Sequence, residues 1–264
     1  MLLAISIGNS NLRFVLLDGK IPIANIRLRS DRRRTSDDLA GAFAGALDAQ
    51  GRGNLLRDAT GVCVCSVVPI LSEAVGEMCS RSLPDIPPPL FITGRMDQGM
   101  AVHYHPPQSL GADRLVSAYA AREIYGGGPL IVADFGTATT FNAIDASGAF
   151  LGGAILPGIG LGRDALVENT AQLPRLDLFA PEPIAAIGQQ TVDALRSGLL
   201  LGAAAQCEGM VARIRAEMGA PQARVIATGG LGGVVARHSP IIDVVDPDLT
   251  ITGLRLLYEK LTTA

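Results

Sequence analysis

The stretch AISIGNSN, residues 4–11, reads as a buried strand that runs into a glycine turn, and a second apolar run, LRFVLLDG (12–19), follows it directly. The chain restarts in the same way at LIVADFGTATTFNAID (130–145). SIGN (6–9) then falls on DFGT (134–137) at an offset of 128 residues, close to half of the 264-residue chain. The match predicts an internal duplication in which each half opens on a β-hairpin.

The hydrophobic periodicity predicts α/β structure in both halves. An Asp18-Gly19 turn joins the second strand to a third, so the first three strands are expected to form an antiparallel meander. Prolines in PDIPPPLFITG (84–94) predict a loop that leads into a short strand. The other expected elements are strands at 61–67, 130–145 (two strands) and 224–228, and helices at 36–50, 109–125, 188–218 and 252–262.

The composition excludes several classes of protein. Hydrophobic residues make up 48% and charged residues 18% of the chain, which is typical of a globular protein. A net charge of −3 gives no general attraction to nucleic acid or to an anionic membrane. No apolar run reaches the roughly 20 residues of a membrane span, and the start lacks the basic flank of a signal peptide. We therefore expect a cytoplasmic protein that binds neither nucleic acid nor a membrane.

Three further sequence features are interpreted as structural. Cys63 and Cys65 should share one face of a strand, and no second cysteine pair follows at zinc-site spacing, so buried free thiols are expected. The arginines of RLRSDRRRT (27–35) have few aromatic residues nearby, which indicates a solvated loop. The apolar segment GLLLGAAAQCEGMV (198–211) is expected to be either core or a dimer contact.

Three glycine-containing loops favour nucleotide binding. Without side chains in the way, the backbone N–H groups of the two hairpin turns can reach phosphate oxygens. A third loop, GGLGG (229–233), follows the strand RVIAT and would let a flat ring approach the backbone. Each loop alone is equally consistent with a plain turn, but three in a duplicated chain favour a nucleotide site in a cleft between the halves.

The order of motifs resembles that of type III pantothenate kinases. The motifs are GNSN (8–11), GADR (111–114), DFGTATT (134–140), GGAILPG (152–158) and TGGLG (228–232). The resemblance extends over essentially the whole chain, through to LTITGLRLLYEK (249–260). Such an ordered series is far more specific than any single loop.

The resemblance implies a fold, an activity and cofactors. The fold is α/β, with two duplicated actin-like (ribonuclease-H-like) halves at 1–126 and 127–264, a mixed five-stranded sheet in each, and an interdomain cleft. The activity is the ATP-dependent phosphorylation of pantothenate to 4′-phosphopantothenate, the first step of coenzyme A biosynthesis. Mg²⁺ and K⁺ (or NH₄⁺) are the expected ions, and a homodimer is the expected assembly.

The resemblance also implies roles for individual residues. Asp113 matches the catalytic base, and Asp134 matches the ligand of the monovalent cation. The positions that match pantothenate-binding residues are Tyr104, Gly111, Ala112, Arg114 and Thr191. The positions that match ATP-binding residues are Ser6, Ile7, Gly8, Asn9, Ser10, Asn11, Leu12, Arg13 and Thr137. The residue types suit phosphoryl transfer, which needs a proton acceptor, cations and loops rich in N–H groups.

Ser6 departs from the family pattern. The family opens on Asp-x-Gly-Asn-Thr, and its aspartate is thought to help hold the metal that bridges the ATP phosphates. A serine hydroxyl can at best hydrogen-bond a metal-bound water, and the loss of such a group costs on the order of 10²–10³ in rate. The alternatives are an impaired homologue that binds a nucleotide or a pantothenate-like ligand for regulation, and a kinase of another small hydroxy acid. The retention of Asp113, Arg114, Asp134 and Thr137 together favours an active pantothenate kinase.

Overall fold

The computed structural model describes residues 1–94, 96, 99–170, 172–179 and 183–262. It contains ten named strands within these ranges. The strands are β1 (Leu2–Ile7), β2 (Asn11–Asp18), β3 (Ile21–Arg29), β4 (Gly61–Ser66), β5 (Leu90–Ile92), β6 (Leu130–Phe135), β7 (Ala138–Ile144), β8 (Phe150–Pro157), β9 (Arg224–Thr228) and β10 (Val244–Val245). The antiparallel meander and the other predicted strands are thereby confirmed, whereas β8 and β10 were not predicted.

The helices confirm four predictions, one of which covers two helices, and the described residues form three further helices. The helices are α1 (Ser36–Ala49), α2 (Pro69–Ser82), α3 (Ala112–Tyr125), α4 (Ile159–Glu168), α5 (Thr191–Arg196), α6 (Gly202–Glu217), α7 (Gly232–Ala236) and α8 (Leu249–Thr262). The helix predicted at 188–218 begins at Thr191 and contains a π-helical turn, Ser197–Leu201, that separates α5 from α6. The sequence did not predict α2, α4 or α7.

The two sheets have the same topology. Their strand orders are β3-β2-β1-β4-β5 and β8-β7-β6-β9-β10. In each sheet the first strand pairs antiparallel with the next strand along the chain, as in β1 with β2, and parallel with a later one, as in β1 with β4. The offset of 128 residues maps β1 onto β6 end to end. Two mixed five-stranded sheets with helices confirm the predicted fold class.

Side chains alternate along β1, so that one face of the strand packs in the core and the other face bears Ser6. Leu3, Ile5 and Ile7 are buried in one apolar cluster with side chains of α1 and α2. Phe14 on β2 stacks on Phe43 of α1 with ring centroids 4.7 Å apart. Because successive side chains point to opposite faces, Ser6 lies on the other face of the sheet.

The chain forms two compact units that do not follow chain order. The first comprises residues 1–99, 105–120 and 250–264, and the second comprises residues 100–104 and 121–249. Helix α8 belongs to the first unit because it crosses α3 closely: a Cβ on Gly253 would lie 2.7 Å from Cγ1 of Val116. Ser117 and Thr250 share a hydrogen bond of 2.9 Å at the same crossing. The boundary at residue 126, inferred from the repeat, stays a prediction, as does the cleft.

The apolar segment 198–211 contributes to the core of the second unit. Leu200, Cys207 and Val211 are buried there in one cluster with Ile131 and Phe141 of the second sheet. Among the described residues, no helix combines the length and the apolar character that crossing a bilayer requires.

Candidate active site

The first loop, residues 8–10, connects β1 to β2. Its hairpin is closed by the Gly8 N–H, which donates to the Asn11 carbonyl at 2.9 Å. Asn9, Ser10 and Asn11 are exposed, so the backbone of the loop is accessible to a ligand. Ile7 and Leu12, at the two ends of the hairpin, are buried in the core and anchor the loop.

Arg13, the last residue of the predicted ATP-binding stretch, lies beside Ser6 on β2. Its Nε donates to Oδ1 of Asn25 on β3 at 3.2 Å. Asn25 pairs with Val15, farther from the loop than Arg13. The guanidinium of Arg13 is therefore held over the edge strand of the sheet.

Ser6 lies between Arg13 and Cys65 in the sheet, and a carboxylate approaches from a helix. Cys65 is the parallel partner of Ser6 on β4. Burial raises the pKa of the Cys65 thiol to about 12, a hydrogen bond from Ser6 lowers it in part, and the negative charge of Asp113 raises it further. The thiol is therefore protonated at neutral pH. Ser6, Cys65 and Asp113 form one polar group on the face of the sheet opposite α1 and α2.

Asp113 lies in the first turn of α3 and is half-buried. Its Oδ1 accepts the N–H of Arg114 at 2.8 Å. Burial raises the pKa of this carboxyl above 3.8, while the Arg114 N–H and the Arg114 charge act in the opposite direction. A base must lose its proton to function, and a raised pKa makes it a better proton acceptor. The position therefore suits general-base chemistry.

The residues around Asp113 fix its position. A Cβ on Gly111 would lie 2.6 Å from the Asp113 Oδ1, so glycine is needed for this approach. Ala112 and Arg114 are 8% and 7% exposed. The GADR motif thus begins α3, with its carboxylate close enough to Cys65 on β4 to affect the pKa of that thiol.

The second loop, residues 136–137, connects β6 to β7. The strand before it bears an acid at the position where β1 bears a serine. Asp134 occupies on β6 the place of Ser6 on β1, and its strand neighbours are Thr140 and Thr228. Thr137 is exposed at the turn. The Gly136 N–H donates to the Ala138 carbonyl at 3.1 Å, which makes this turn one residue tighter than the first.

A third glycine loop follows β9 and packs directly on Asp134. Gly229 has φ +84°, and a Cβ there would collide with the Asp134 Oδ1 and lie 2.8 Å from the Phe135 nitrogen. The Leu231 N–H donates to the Phe135 carbonyl at 3.2 Å. Only glycine allows this close approach, so the carboxylate lies in a cradle of backbone atoms.

Tyr104 and Thr191, two predicted substrate contacts, belong to the second unit. The segment before Tyr104 runs alongside β8: the His103 N–H donates to the Phe150 carbonyl at 2.8 Å. The Tyr104 ring meets the Phe150 ring edge to face at 6.2 Å. Thr191 is exposed at the start of α5. Their role in binding pantothenate stays a prediction.

Metal-ligand clusters do not occur among the described residues. No group of three or more His, Cys, Asp or Glu side chains could hold an ion there. All four cysteines are free and buried, which confirms the structural interpretation of Cys63 and Cys65. Around Asp134, one carboxylate is accompanied by threonine hydroxyls on both neighbouring strands. Oxygen donors with little total charge suit a weakly bound hard cation.

Sequence reasoning missed the contact of Cys65 with Ser6 and two residues that touch the hairpin loops, Ser30 and Gly158. Ser30 follows β3 and donates two hydrogen bonds to the first loop. Gly158 follows β8 and donates to the second loop. The offset of 128 residues maps Ser30 onto Gly158, so extending the repeat beyond the glycine motif would have found this pair.

Comparisons with known proteins bear on the family and the fold of the chain. The family model described as type III pantothenate kinase matches residues 2–213. The chain is 42% identical over 262 residues to a type III pantothenate kinase of Moorella thermoacetica, covering 99% of this chain and 100% of the relative. The chain belongs to the type III pantothenate kinase family. A type III pantothenate kinase of Rhizorhabdus wittichii is also 42% identical, over 100% of this chain and 99% of its own length.

Solved structures support the fold alone. The activator of the 2-hydroxyisocaproyl-CoA dehydratase from Clostridium difficile, with bound ADPNP, is similar with a TM-score of 0.54 at 13% identity, covering 99% of this chain and 97% of that one. Component A of the (R)-2-hydroxyglutaryl-CoA dehydratase from Acidaminococcus fermentans has the same TM-score at 14% identity, over 99% of this chain and 98% of that one.

Proposed function

We propose that this chain phosphorylates pantothenate with ATP to give 4′-phosphopantothenate and ADP. The observation that carries the proposal is the family match, which at 42% identity extends over nearly the whole chain. The half-buried carboxylate of Asp113 supports it, because this proton acceptor lies near Cys65, the strand partner of Ser6 at the end of β1. Phosphoryl transfer needs a proton acceptor close to the phosphates.

In the proposed reaction, Asp113 is the base. The hydroxyl oxygen of pantothenate attacks the γ-phosphorus, and the bond from that phosphorus to the β–γ bridging oxygen breaks with its electrons leaving on ADP. The hydroxyl proton passes to Asp113. The exposed N–H groups of the first loop would bind the phosphate oxygens, and the buried Arg114, at the start of α3 beside the base, would attract the pantothenate carboxylate.

Two cations belong to the proposal. Asp134, which is packed against the Gly229 loop and has threonines as both strand neighbours, would hold K⁺ or NH₄⁺, with Thr137 contacting ATP. The first unit offers the hydroxyl of Ser6 where a carboxylate ligand is expected, so Mg²⁺ would be held by the ATP phosphates and water. When bound, Mg²⁺ neutralises charge that develops on the phosphate oxygens.

The test is a coupled assay with pantothenate, ATP, Mg²⁺ and K⁺. We expect 4′-phosphopantothenate to form, with a rate that depends on K⁺. Pantoate and other small hydroxy acids in place of pantothenate test the alternative substrate. Faster turnover of one of them would assign the enzyme to that acid.

An impaired homologue that binds its ligands for regulation is the second candidate. The contrast between Ser6 and Asp134 favours it, since one half has kept the acid and the other has not. Binding of ATP and pantothenate by calorimetry, without product over a wide ATP range, would establish this function instead.

The assembly and location also belong to the proposal. We infer a homodimer from the family resemblance and a cytoplasmic location from the composition of the sequence. The segment 198–211, one sequence candidate for a dimer contact, buries Leu200, Cys207 and Val211 in the protomer's own core. Light scattering coupled to gel filtration measures the oligomeric state directly.

A further inference from the structure

Ser30 makes two hydrogen bonds to the first loop from the residue that follows β3. Its hydroxyl donates to the Gly8 carbonyl at 2.6 Å, and its N–H donates to the Ser10 carbonyl at 3.0 Å. The Asn11 carbonyl already accepts the Gly8 N–H at 2.9 Å. The carbonyls at both ends of the loop are therefore turned toward Ser30.

These bonds fix the direction of two amides. A trans peptide directs its carbonyl and its N–H to opposite sides, and the peptides of the loop are trans. The N–H of Asn9 therefore points away from Ser30, because the Gly8 carbonyl points toward it. The N–H of Asn11 points away for the same reason, through the Ser10 carbonyl. Backbone N–H groups of a turn that point away from its carbonyl partners are placed to bind an anion.

The second loop is held by a different means at the equivalent position. Gly158 follows β8 as Ser30 follows β3, and its N–H donates to the Thr137 carbonyl at 3.1 Å. A Cβ there would lie 2.5 Å from the Gly136 oxygen. The second loop is one residue shorter, since Asp134 pairs with Thr140 whereas Ser6 pairs with Arg13. The backbone of Gly158 packs directly against the shorter second loop, whereas the side chain of Ser30 reaches the longer first loop.

We propose that Ser30 is a positioning residue for the nucleotide. It acts through the first loop, whose amides it keeps directed at the phosphate oxygens of ATP. The inference rests on the proposed function for the identity of the ligand. It adds Ser30, which lies outside the stretch 6–13, to the residues on which ATP affinity depends.

The experiment compares Ser30→Ala with Ser30→Thr. Loss of one hydrogen bond to the loop should weaken ATP binding about 3- to 10-fold, seen as a raised Kd in calorimetry and a raised KM for ATP. The kcat at saturating ATP and the KM for pantothenate should not change. Ser30→Thr retains the hydroxyl and should bind ATP as the parent does. Ser80→Ala, which removes a hydroxyl bonded to the Gly76 carbonyl on α2, is the matched control and should have no effect.

A second measurement uses the unmodified chain and so does not depend on folding of a variant. Addition of ATP should shift the amide NMR signals of Asn9 and Asn11 and slow their hydrogen exchange. Unshifted signals with ATP bound would overturn the inference, as would equal ATP affinities for Ser30→Ala and the parent. Ser30→Thr as weak as Ser30→Ala would overturn it too.

The experiments distinguish a wrong role for Ser30 from a wrong assignment of kinase activity. A parent chain that binds ATP but forms no product contradicts kinase activity and leaves the Ser30 comparison measurable by calorimetry. A parent chain that binds no ATP contradicts both.

Discussion

The two hairpin loops occupy equivalent places in equivalent sheets, yet they differ in charge. The strand before the second loop provides its own carboxylate, Asp134, between two threonines. The strand before the first provides Ser6, between Arg13 and Cys65, and the nearby carboxylate comes from helix α3 as Asp113. A strand residue is fixed by the sheet, whereas a residue in the first turn of a helix can face a substrate. The proposed roles follow this difference: the second half would hold a cation through Asp134, and the first would accept a proton through Asp113.

The largest expected effect follows from removing the acid on the helix. Asp113→Asn keeps the shape and can still accept the Arg114 N–H, but it cannot take a proton. The rate should fall by about 10²–10⁴, with ATP and pantothenate affinities within a few-fold of the parent. Asp37→Asn, which removes an exposed acid from the first turn of α1, is the control. Steady-state kinetics with unchanged activity in Asp113→Asn would assign the base elsewhere.

A smaller effect tests how closely the second loop is packed. Gly158→Ala would place a methyl group against the Gly136 and Thr137 carbonyls, and overpacking of this kind costs about 1–3 kcal/mol. We expect a lower melting temperature and a raised KM for ATP. Gly160→Ala on α4, where a Cβ meets open space, is the control and should not destabilise the protein. Equal melting temperatures for the two variants would contradict the steric argument.

Ser6→Asp makes the two loops alike and should affect the rate at low Mg²⁺. If the serine replaces a metal-holding acid, the variant should bind Mg²⁺ more tightly and recover part of the roughly 10²–10³ loss, most visibly at limiting Mg²⁺. A cost is also expected, because Cys65 interacts with both Ser6 and Asp113, and two like charges brought close to one another raise a carboxyl pKa. Measuring kcat as a function of Mg²⁺ concentration shows whether the gain in Mg²⁺ binding outweighs the charge repulsion. An unchanged or lower rate at every Mg²⁺ concentration would show that the site has adapted to serine.

The smallest effect is in the pH dependence of the parent enzyme. Burial raises the pKa of Asp113 above 3.8, and the base works only when it is deprotonated. The kcat/KM should therefore fall as the pH is lowered through this raised pKa, at a higher pH than for an ordinary aspartate. In Ser6→Asp the acid limb should move to still higher pH. An acid limb at or below pH 3.8 in the parent would contradict a buried base.

Sequence patterns predicted most elements, and the misses have local causes. Helix α2 follows Val68 without a side-chain cap, so only Pro69, at the first helical position, marks its start in the sequence. Strand β8 contains Gly152 and Gly153, and two consecutive glycines in a sequence predict a turn. Both glycines have a positive φ in the structure. The segment is a strand because β7 approaches so closely that a Cβ on Gly153 would collide with the Phe141 carbonyl. Because this close approach is set by the partner strand, its only trace in the sequence is the glycine itself.

The duplication, the fold class, the family and the contrast between Ser6 and Asp134 can all be derived from the amino-acid order. These follow from short-range features: periodicity, turn residues and motifs that keep their order along the chain. Other contacts depend on the folded chain: those of Cys65 with Ser6, of α8 with α3 in the first unit, of Ser30 with the first loop and of Gly158 with the second. These contacts join segments distant in sequence. The free energy that fixes them comes from burial and hydrogen bonds that exist only once the sheets have formed, so no local pattern records them.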